Sequence, residues 1–185
     1  MSGQPVKTVR EVEAMEVPSG VPATVPGGSW VVVQQTLGGQ FTAMIGSGAL
    51  VRIAGKDADA LGPEYVEEIR KYEEERARAA EGPFDEEKVW AALREVYDPE
   101  IPASIVELGL VYAVASEPVE GGRKVVVRMT LTAPGCGIGP VLVEDVRSRV
   151  LAVPGVKEAD VDLVFDPPWD PSRMSEAAKL QLGFM

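Results

Sequence analysis

Histidine is absent from this sequence of 185 residues, and cysteine occurs only once, as Cys136. Without histidine, the chain cannot use a serine–histidine or cysteine–histidine pair in catalysis, and it cannot bind a metal through an imidazole. A single cysteine cannot form a disulfide bond within the chain. Because disulfides are typical of oxidising compartments, we expect a cytoplasmic protein.

Long apolar runs and positive charge are also scarce. No segment approaches the roughly 20 apolar residues that a membrane helix needs, and the first residues lack the apolar core of a signal peptide. Lys and Arg total 18 against 29 Asp and Glu, so the formal net charge is −11. This excess of negative charge argues against nucleic acid and anionic membrane surfaces as partners.

Residues 1–62 predict a small β subdomain. Residues 1–19 show no clear pattern, and we expect them to be poorly ordered. Beyond them, β-branched and apolar residues mark short strands, with a tight turn at Gly46–Gly48. The three strands are expected at Trp30–Thr36, Phe41–Ile45 and Ala49–Ile53. A sheet of this size has marginal stability by itself, so we expect it to pack against another element.

Residues 63–82 predict a charged connector helix. Tyr65, Ile69 and Tyr72 form a short apolar stripe, which is not continued in the second half of the helix. The other positions are mostly Glu, Lys and Arg, and several of them are spaced for ion pairs along the helix. We therefore expect most of this helix to be in contact with solvent.

Residues 83–185 predict an α/β (α+β) domain. Asp85 is expected to cap a first helix, which the Asp98–Pro99 pair should end. Alternating patterns predict strands, and helical periodicity returns after Pro140 and near the C-terminus. The strands are expected at 110–116, at 124–131 and around Val161–Phe165, and the last helix at 175–182. This order predicts a small three-stranded mixed sheet with helices, whose strand–helix–strand crossover should be right-handed if its strands are parallel.

Cys136 lies just before the predicted helix that contains Pro140, between Gly135 and Gly137. The free N–H groups and the positive end of the helix dipole at this position stabilise a thiolate. The glycines let the backbone turn tightly and approach a ligand. A thiolate suits metal binding or nucleophilic attack, but a small residue that merely fills a turn beside the core would fit the same position.

A second candidate cluster is the acidic stretch Asp98–Pro102. Its prolines hold the carboxylates of Asp98 and Glu100 in an extended segment, as suits the rim of a site. A loop that only ends a helix would have the same sequence, and local physics favours that simpler reading.

Three longer segments of the chain carry more information than the spacing of single residues. They are DPEIPASIVELGLVYAV, MTLTAPGCGIGP and VDLVFDPPWDPSRMSEAAKLQLG, in this order within residues 85–185. Together they resemble the PaaD-like family of iron–sulfur assembly factors, and residues 21–62 look like the N-terminal extension of SufT-type proteins. One departure is minor: Glu107 stands where the family often has Asp.

The resemblance implies a non-enzymatic maturation factor for iron–sulfur proteins. Cys136 matches the family's motif cysteine, and Asp98, Glu100 and Thr132 match positions expected to line the same cleft. Gly135 and Gly137 would form its approach surface.

A cluster normally takes four thiolates, so one Cys136 implies a transient cluster shared with another thiolate source. We therefore expect a cluster carrier or adaptor, whose partners are assembly proteins and client apo-proteins; a homodimer would bring two thiols together. Two alternatives stay open: an interaction scaffold with no metal ligand role, and a thiol enzyme that uses Asp98 or Glu100 as its base.

Overall fold

The protein, here a computed structural model, is described over residues 3–79, 82–98, 101–135 and 137–183. The chain divides into two compact units, an N-terminal unit over 1–79 and a C-terminal unit over 80–185. The charged helix predicted over 63–82 thus falls largely within the N-terminal unit. The three-part division drawn from the sequence stays a prediction.

Six antiparallel strands form the sheet of the N-terminal unit, in the order β1-β4-β5-β6-β2-β3. Their bounds are β1 Pro5–Lys7, β2 Val12–Val17, β3 Pro22–Val25, β4 Trp30–Leu37, β5 Gln40–Ile45 and β6 Leu50–Ala54. The three predicted strands are confirmed as β4, β5 and β6. The hairpin between the last two turns at Gly48, which has φ +84°.

The expectation that residues 1–19 are poorly ordered is wrong for the part that the structure describes, because β1 and β2 lie there. Both strands pair with partners that are distant in sequence: β1 with β4, and β2 with β6. Val12 and Val17 are buried by this pairing. Because the partners are distant, the local sequence pattern gave little sign of these strands.

Helix α1, Pro63–Ala79, follows a short 3-10 helix at Gly55–Ala60. Its apolar stripe packs on the sheet, where Tyr65 and Ile69 are only 6% and 7% exposed. The ring of Tyr65 meets that of Phe41 edge to face, with 5.5 Å between the centroids. The helix thus completes the core of the N-terminal unit.

The C-terminal unit contains the predicted three-stranded mixed sheet, in the order β7-β8-β9. Strands β7 and β8 are antiparallel, whereas β8 and β9 are parallel and are joined through helix α3. The elements are α2 Glu86–Arg94, β7 Val111–Val119, β8 Gly122–Met129, α3 Gly139–Leu151, β9 Val156–Leu163 and α4 Glu176–Leu182. The predicted α/β (α+β) class is confirmed.

The core of this unit lies between one face of the sheet and helices α2 and α3. Val125, Val127 and Met129 alternate along β8 and are fully buried against these helices. The predicted cap is confirmed, because Asp85 accepts a hydrogen bond from Glu87 N at 3.0 Å.

Helix α2 ends earlier than the sequence predicts. Its apolar spacing continues to Tyr97, but the helix stops at Arg94. The carbonyl of Val96 instead accepts a hydrogen bond from Ile105 N at 2.9 Å, and Tyr97 bridges to Ser104. A local β-type pairing therefore replaces the last helical turn.

Within the described ranges, none of the helices has both the length and the apolar character needed to span a membrane.

Replacing Ile69 by Ala tests the packing of α1. We expect Ile69→Ala to lower the free energy of unfolding by about 2–4 kcal/mol, because it removes a buried side chain from a packed core. Val66→Ala is the matched control, since Val66 lies on the same helix but is 43% exposed. Equal, small losses for both variants in urea unfolding would show that α1 does not belong to the core.

Candidate functional site

The loop that carries Cys136 lies between the end of β8 and the start of α3. Because β8 and β9 are parallel, this loop lies at the carboxyl edge of the sheet, where α/β folds commonly bind ligands. Cys136 itself lies outside the described residues. Its neighbours Gly135 and Gly137 are both exposed, and Gly135 has φ +80°. The chain is thus at the surface on either side of the thiol.

The start of α3 is packed tightly against the residues that directly follow β8. Gly139 is buried, and a Cβ at this position would lie 2.8 Å from Cδ1 of Leu131. The N-cap residue is Ile138, whose side chain cannot accept a hydrogen bond. The start of α3 therefore has no side-chain cap, and Pro140 carries no N–H. Val141 N and Leu142 N already donate to Ile138 O at 3.0 Å. What α3 offers a thiolate here is the positive end of its dipole.

Asp98 is nearly buried, and its carboxylate holds the acidic loop together. Its Oδ1 accepts a hydrogen bond from Ile101 N at 3.0 Å, and its own N donates to Ala103 O at 3.2 Å. Glu100 lies outside the described residues. In the structure Asp98 closes a turn, so any role in supporting a ligand stays a prediction.

A run of backbone hydrogen bonds joins the acidic loop to the residues that directly follow β8, among which Thr132 is half-buried. The bonds are Ile105 N to Val96 O, Leu110 N to Ile105 O and Thr130 N to Leu110 O, each 2.9 Å long. The segments that carry Asp98 and Thr132 are therefore neighbours at this end of the unit, linked through residues 105–110. The predicted cleft roles of Thr132, Gly135 and Gly137 stay predictions.

Glu107 has a structural role that the sequence reading missed. Its Oε2 accepts a hydrogen bond from Ser104 N at 3.0 Å, and Ser104 Oγ accepts one from Glu107 N at 3.2 Å. This reciprocal pair is a capping box, and its S-x-x-E signature is visible in the sequence. Burial raises the pKa of the adjacent Tyr97, and the negative charge of Glu107 raises it further.

Residues 164–183, here named the C-terminal strap, form hydrogen bonds with residues 105–112. Trp169 Nε1 donates to Leu108 O at 2.8 Å, and the Tyr112 hydroxyl donates to Pro167 O at 2.8 Å. Ser175 N donates to Glu107 O at 2.8 Å. The strap therefore contacts residues 105–112, and these residues are in turn hydrogen-bonded to the acidic loop.

Gly109 lies where the strap comes closest to this segment. It has φ +68°, and a Cβ built there would lie 2.3 Å from the carbonyl oxygen of Arg173. Only glycine meets both the backbone conformation and the space.

The available metal donors are few. The described residues contain no group of three or more His, Cys, Asp or Glu side chains that could hold a metal ion, and the whole chain offers one thiol and no imidazole. This donor set fits one coordination position on a metal cluster that is completed by other molecules. It does not fit a resident cluster held by this chain alone.

Comparison with known proteins now places the chain. Residues 86–162 match the family model described as iron-sulfur cluster assembly protein. A protein of Porphyromonas gingivalis named Fe-S protein maturation auxiliary factor is 48% identical over 100 residues, which cover 54% of this chain and 92% of that protein. The chain therefore belongs to the iron–sulfur cluster assembly protein family, as the resemblance in its sequence indicated.

Two further relatives agree. The Fe-S protein maturation auxiliary factor YitW of Bacillus subtilis is 41% identical over 97 residues, covering 52% of this chain and 92% of that protein. The factor named SufT of Staphylococcus aureus is 40% identical over 88 residues, covering 48% of this chain and 97% of that protein. The N-terminal unit lies outside the residues that the family model matches.

Replacing Gly109 by Ala tests the contact between the C-terminal strap and residues 105–112. Gly109→Ala and Gly135→Ala both place a side chain at a positive φ, at a cost of about 1–2 kcal/mol each. Only Gly109→Ala also meets a neighbour, since nothing lies within 4 Å of a Cβ at Gly135. We expect Gly109→Ala to lower the free energy of unfolding by about 1–3 kcal/mol more. Equal losses in denaturant titrations would contradict a tight strap.

Proposed function

We propose that this protein is an iron–sulfur protein maturation factor, which acts as a cluster carrier or adaptor through Cys136. The observation that carries the proposal is the place of the only thiol. In the sequence it falls between β8 and α3, within the domain by which the chain belongs to the assembly family, and the described part of that loop is at the carboxyl edge of the sheet. Relatives over this domain are named as Fe–S protein maturation factors.

The number of metal ligands in this chain supports transient carriage of a cluster rather than permanent binding of one. Both common types of cluster take four thiolates, and this chain supplies one. The cluster is therefore cargo, and the remaining ligands come from a donor protein, a client, a small thiol or a second copy of this chain. Incomplete coordination by the carrier suits transfer, because the next protein can take over the other positions.

The residues around the thiol favour its charged form and its accessibility. Ligation requires the thiolate, so binding releases one proton for each cysteine. The positive end of the α3 dipole lowers the free-energy cost of that ionisation. The exposed Gly135 and Gly137 leave room for a second protein to approach. Asp98 and Thr132 would support the loop from the side of the acidic turn.

A role without catalysis is part of the proposal. A thiol enzyme needs a base, and no histidine exists in the chain. Asp98 is a poor candidate, because its Oδ1 already accepts the hydrogen bond from Ile101 N. The partners that follow from a carrier role are assembly proteins that supply the cluster and apo-proteins that receive it.

Anaerobic reconstitution with ferric iron, sulfide and glutathione tests the role of Cys136. We expect the wild-type chain to retain iron and sulfide after desalting and to pass them to an apo-ferredoxin. Cys136→Ser should retain about a tenth or less, because the one thiolate ligand is lost. The measurement is iron and sulfide content together with visible absorbance.

A double variant, Cys136→Ser with Ser148→Cys, provides the matched control. It restores one thiol, but on the exposed face of α3 away from the glycine loop. We expect it to behave like Cys136→Ser. Equal retention by wild type and Cys136→Ser would refute the ligand role. If cells carrying only Cys136→Ser also kept normal iron–sulfur enzyme activities, the scaffold alternative would stand.

A further inference from the structure

A groove in the N-terminal unit is not used by the proposed function. Helix α1 packs over β5 and the β4–β5 turn, where Tyr65 meets Phe41 and a Cβ at Gly39 would touch Tyr72. Between α1 and the edge strand β1 the packing leaves a groove of about 810 Å³. Val6, Tyr65 and Tyr72 form its apolar lining.

The helix side of this groove carries uncompensated negative charge. Glu64, Glu68 and Glu75 line it, and none of the three forms an ion pair within the part of the chain that the structure describes. Lys71 also lines the groove, but it pairs with Glu67 at 3.8 Å. Burial raises the pKa of Tyr65, and the nearby Glu64 and Glu68 carboxylates raise it further.

The opposite side of the groove is the open edge of the sheet. Strand β1 is the first in the sheet order and pairs only with β4. Thr8 N donates to Ser29 O, so by alternation the N–H and C=O of Lys7 point away from β4. Strand β1 has three residues and Pro5 carries no N–H, so Lys7 supplies its outward donor, and a short extended segment can pair there. The Lys7 side chain contributes no charge to the groove, because it stacks over Trp30 on the other face.

The helix side of the groove sets the length of a segment that could bind along it. Glu64 and Glu75 are 11 positions apart on a helix that rises about 1.5 Å per residue, which gives roughly 16 Å. About five residues of extended chain cover that length at about 3.3 Å each. Alternate side chains of such a segment would face the groove, where the three carboxylates are spaced along the helix.

We infer that this groove binds an extended, basic segment of a partner protein. The segment pairs with the outer edge of β1 and directs alternate Lys or Arg side chains towards Glu64, Glu68 and Glu75, while its shorter side chains lie near Val6 and Tyr72. This role is independent of the proposed function, since it involves neither Cys136 nor the C-terminal unit. It makes the N-terminal unit a docking module.

The test uses the full-length, ¹⁵N-labelled chain and a synthetic peptide of about nine residues that alternates Lys with Val. We expect the largest amide shift changes at residues 4–7 and 64–75, and slower hydrogen exchange at the amide of Lys7. Replacing Glu64, Glu68 and Glu75 together by Gln should weaken binding about tenfold or more.

The matched control replaces Glu11, Glu13 and Glu73 by Gln, which changes the net charge equally at exposed positions outside the groove. It should leave the affinity within about twofold. Val6→Lys, which places a positive charge in the groove, should also prevent binding and is a second, independent variant.

Equal weakening by both triple variants would mean general attraction to an acidic chain and would overturn the proposal. Shift changes elsewhere, or a bound peptide that leaves the Lys7 amide exchange unchanged, would do the same. If the same amides shift with protein concentration when no peptide is present, the occupant is a second copy and the inferred partner is wrong.

Discussion

The parallel pairing of β8 with β9 is the constraint on which the C-terminal unit depends. Parallel neighbours need a crossover, and α3 provides it, so the loop after β8 and the start of α3 must meet at one edge of the sheet. Antiparallel β7 begins at that same edge, because Val111 pairs with Met129. Three segments that are far apart in sequence, around 105–110, 130–138 and 164–170, are thereby brought to one place.

Backbone hydrogen bonds, more than ion pairs, hold that edge in shape. The acidic loop is linked to the end of β8 through residues 105–110, and the C-terminal strap clasps those residues through Trp169 and Tyr112. The bonds among the buried residues satisfy backbone groups that would be costly to leave unpaired, whereas the Tyr112 bond to Pro167 O is exposed. Gly135 and Gly137, beside Cys136, are exposed and do not belong to this packed edge. The geometry thus combines a firmly held frame with a thiol loop that another protein can approach.

Much of this arrangement was readable from the sequence because it depends on local patterns. The alternation of Val125, Val127 and Met129 predicts β8, and Pro140 marks the start of α3, so the place of Cys136 between them followed. Elements that depend on distant partners were not readable in this way. Strands β1 and β2 exist through pairing with β4 and β6, and α2 stops early because Ile105 takes the carbonyl of Val96. The contact of Trp169 with Leu108 spans 61 positions, and no local pattern announces it.

One thiol and no histidine make the ionisation of Cys136 the point on which a carrier role depends. The pH dependence of alkylation by iodoacetamide measures it directly, since no other cysteine reacts. In the folded chain we predict ready alkylation with a midpoint about one unit or more below the usual 8.5, and in the urea-unfolded chain a midpoint near 8.5. A thiol that is unreactive until the chain unfolds, or whose midpoint is not lowered by folding, would contradict the account.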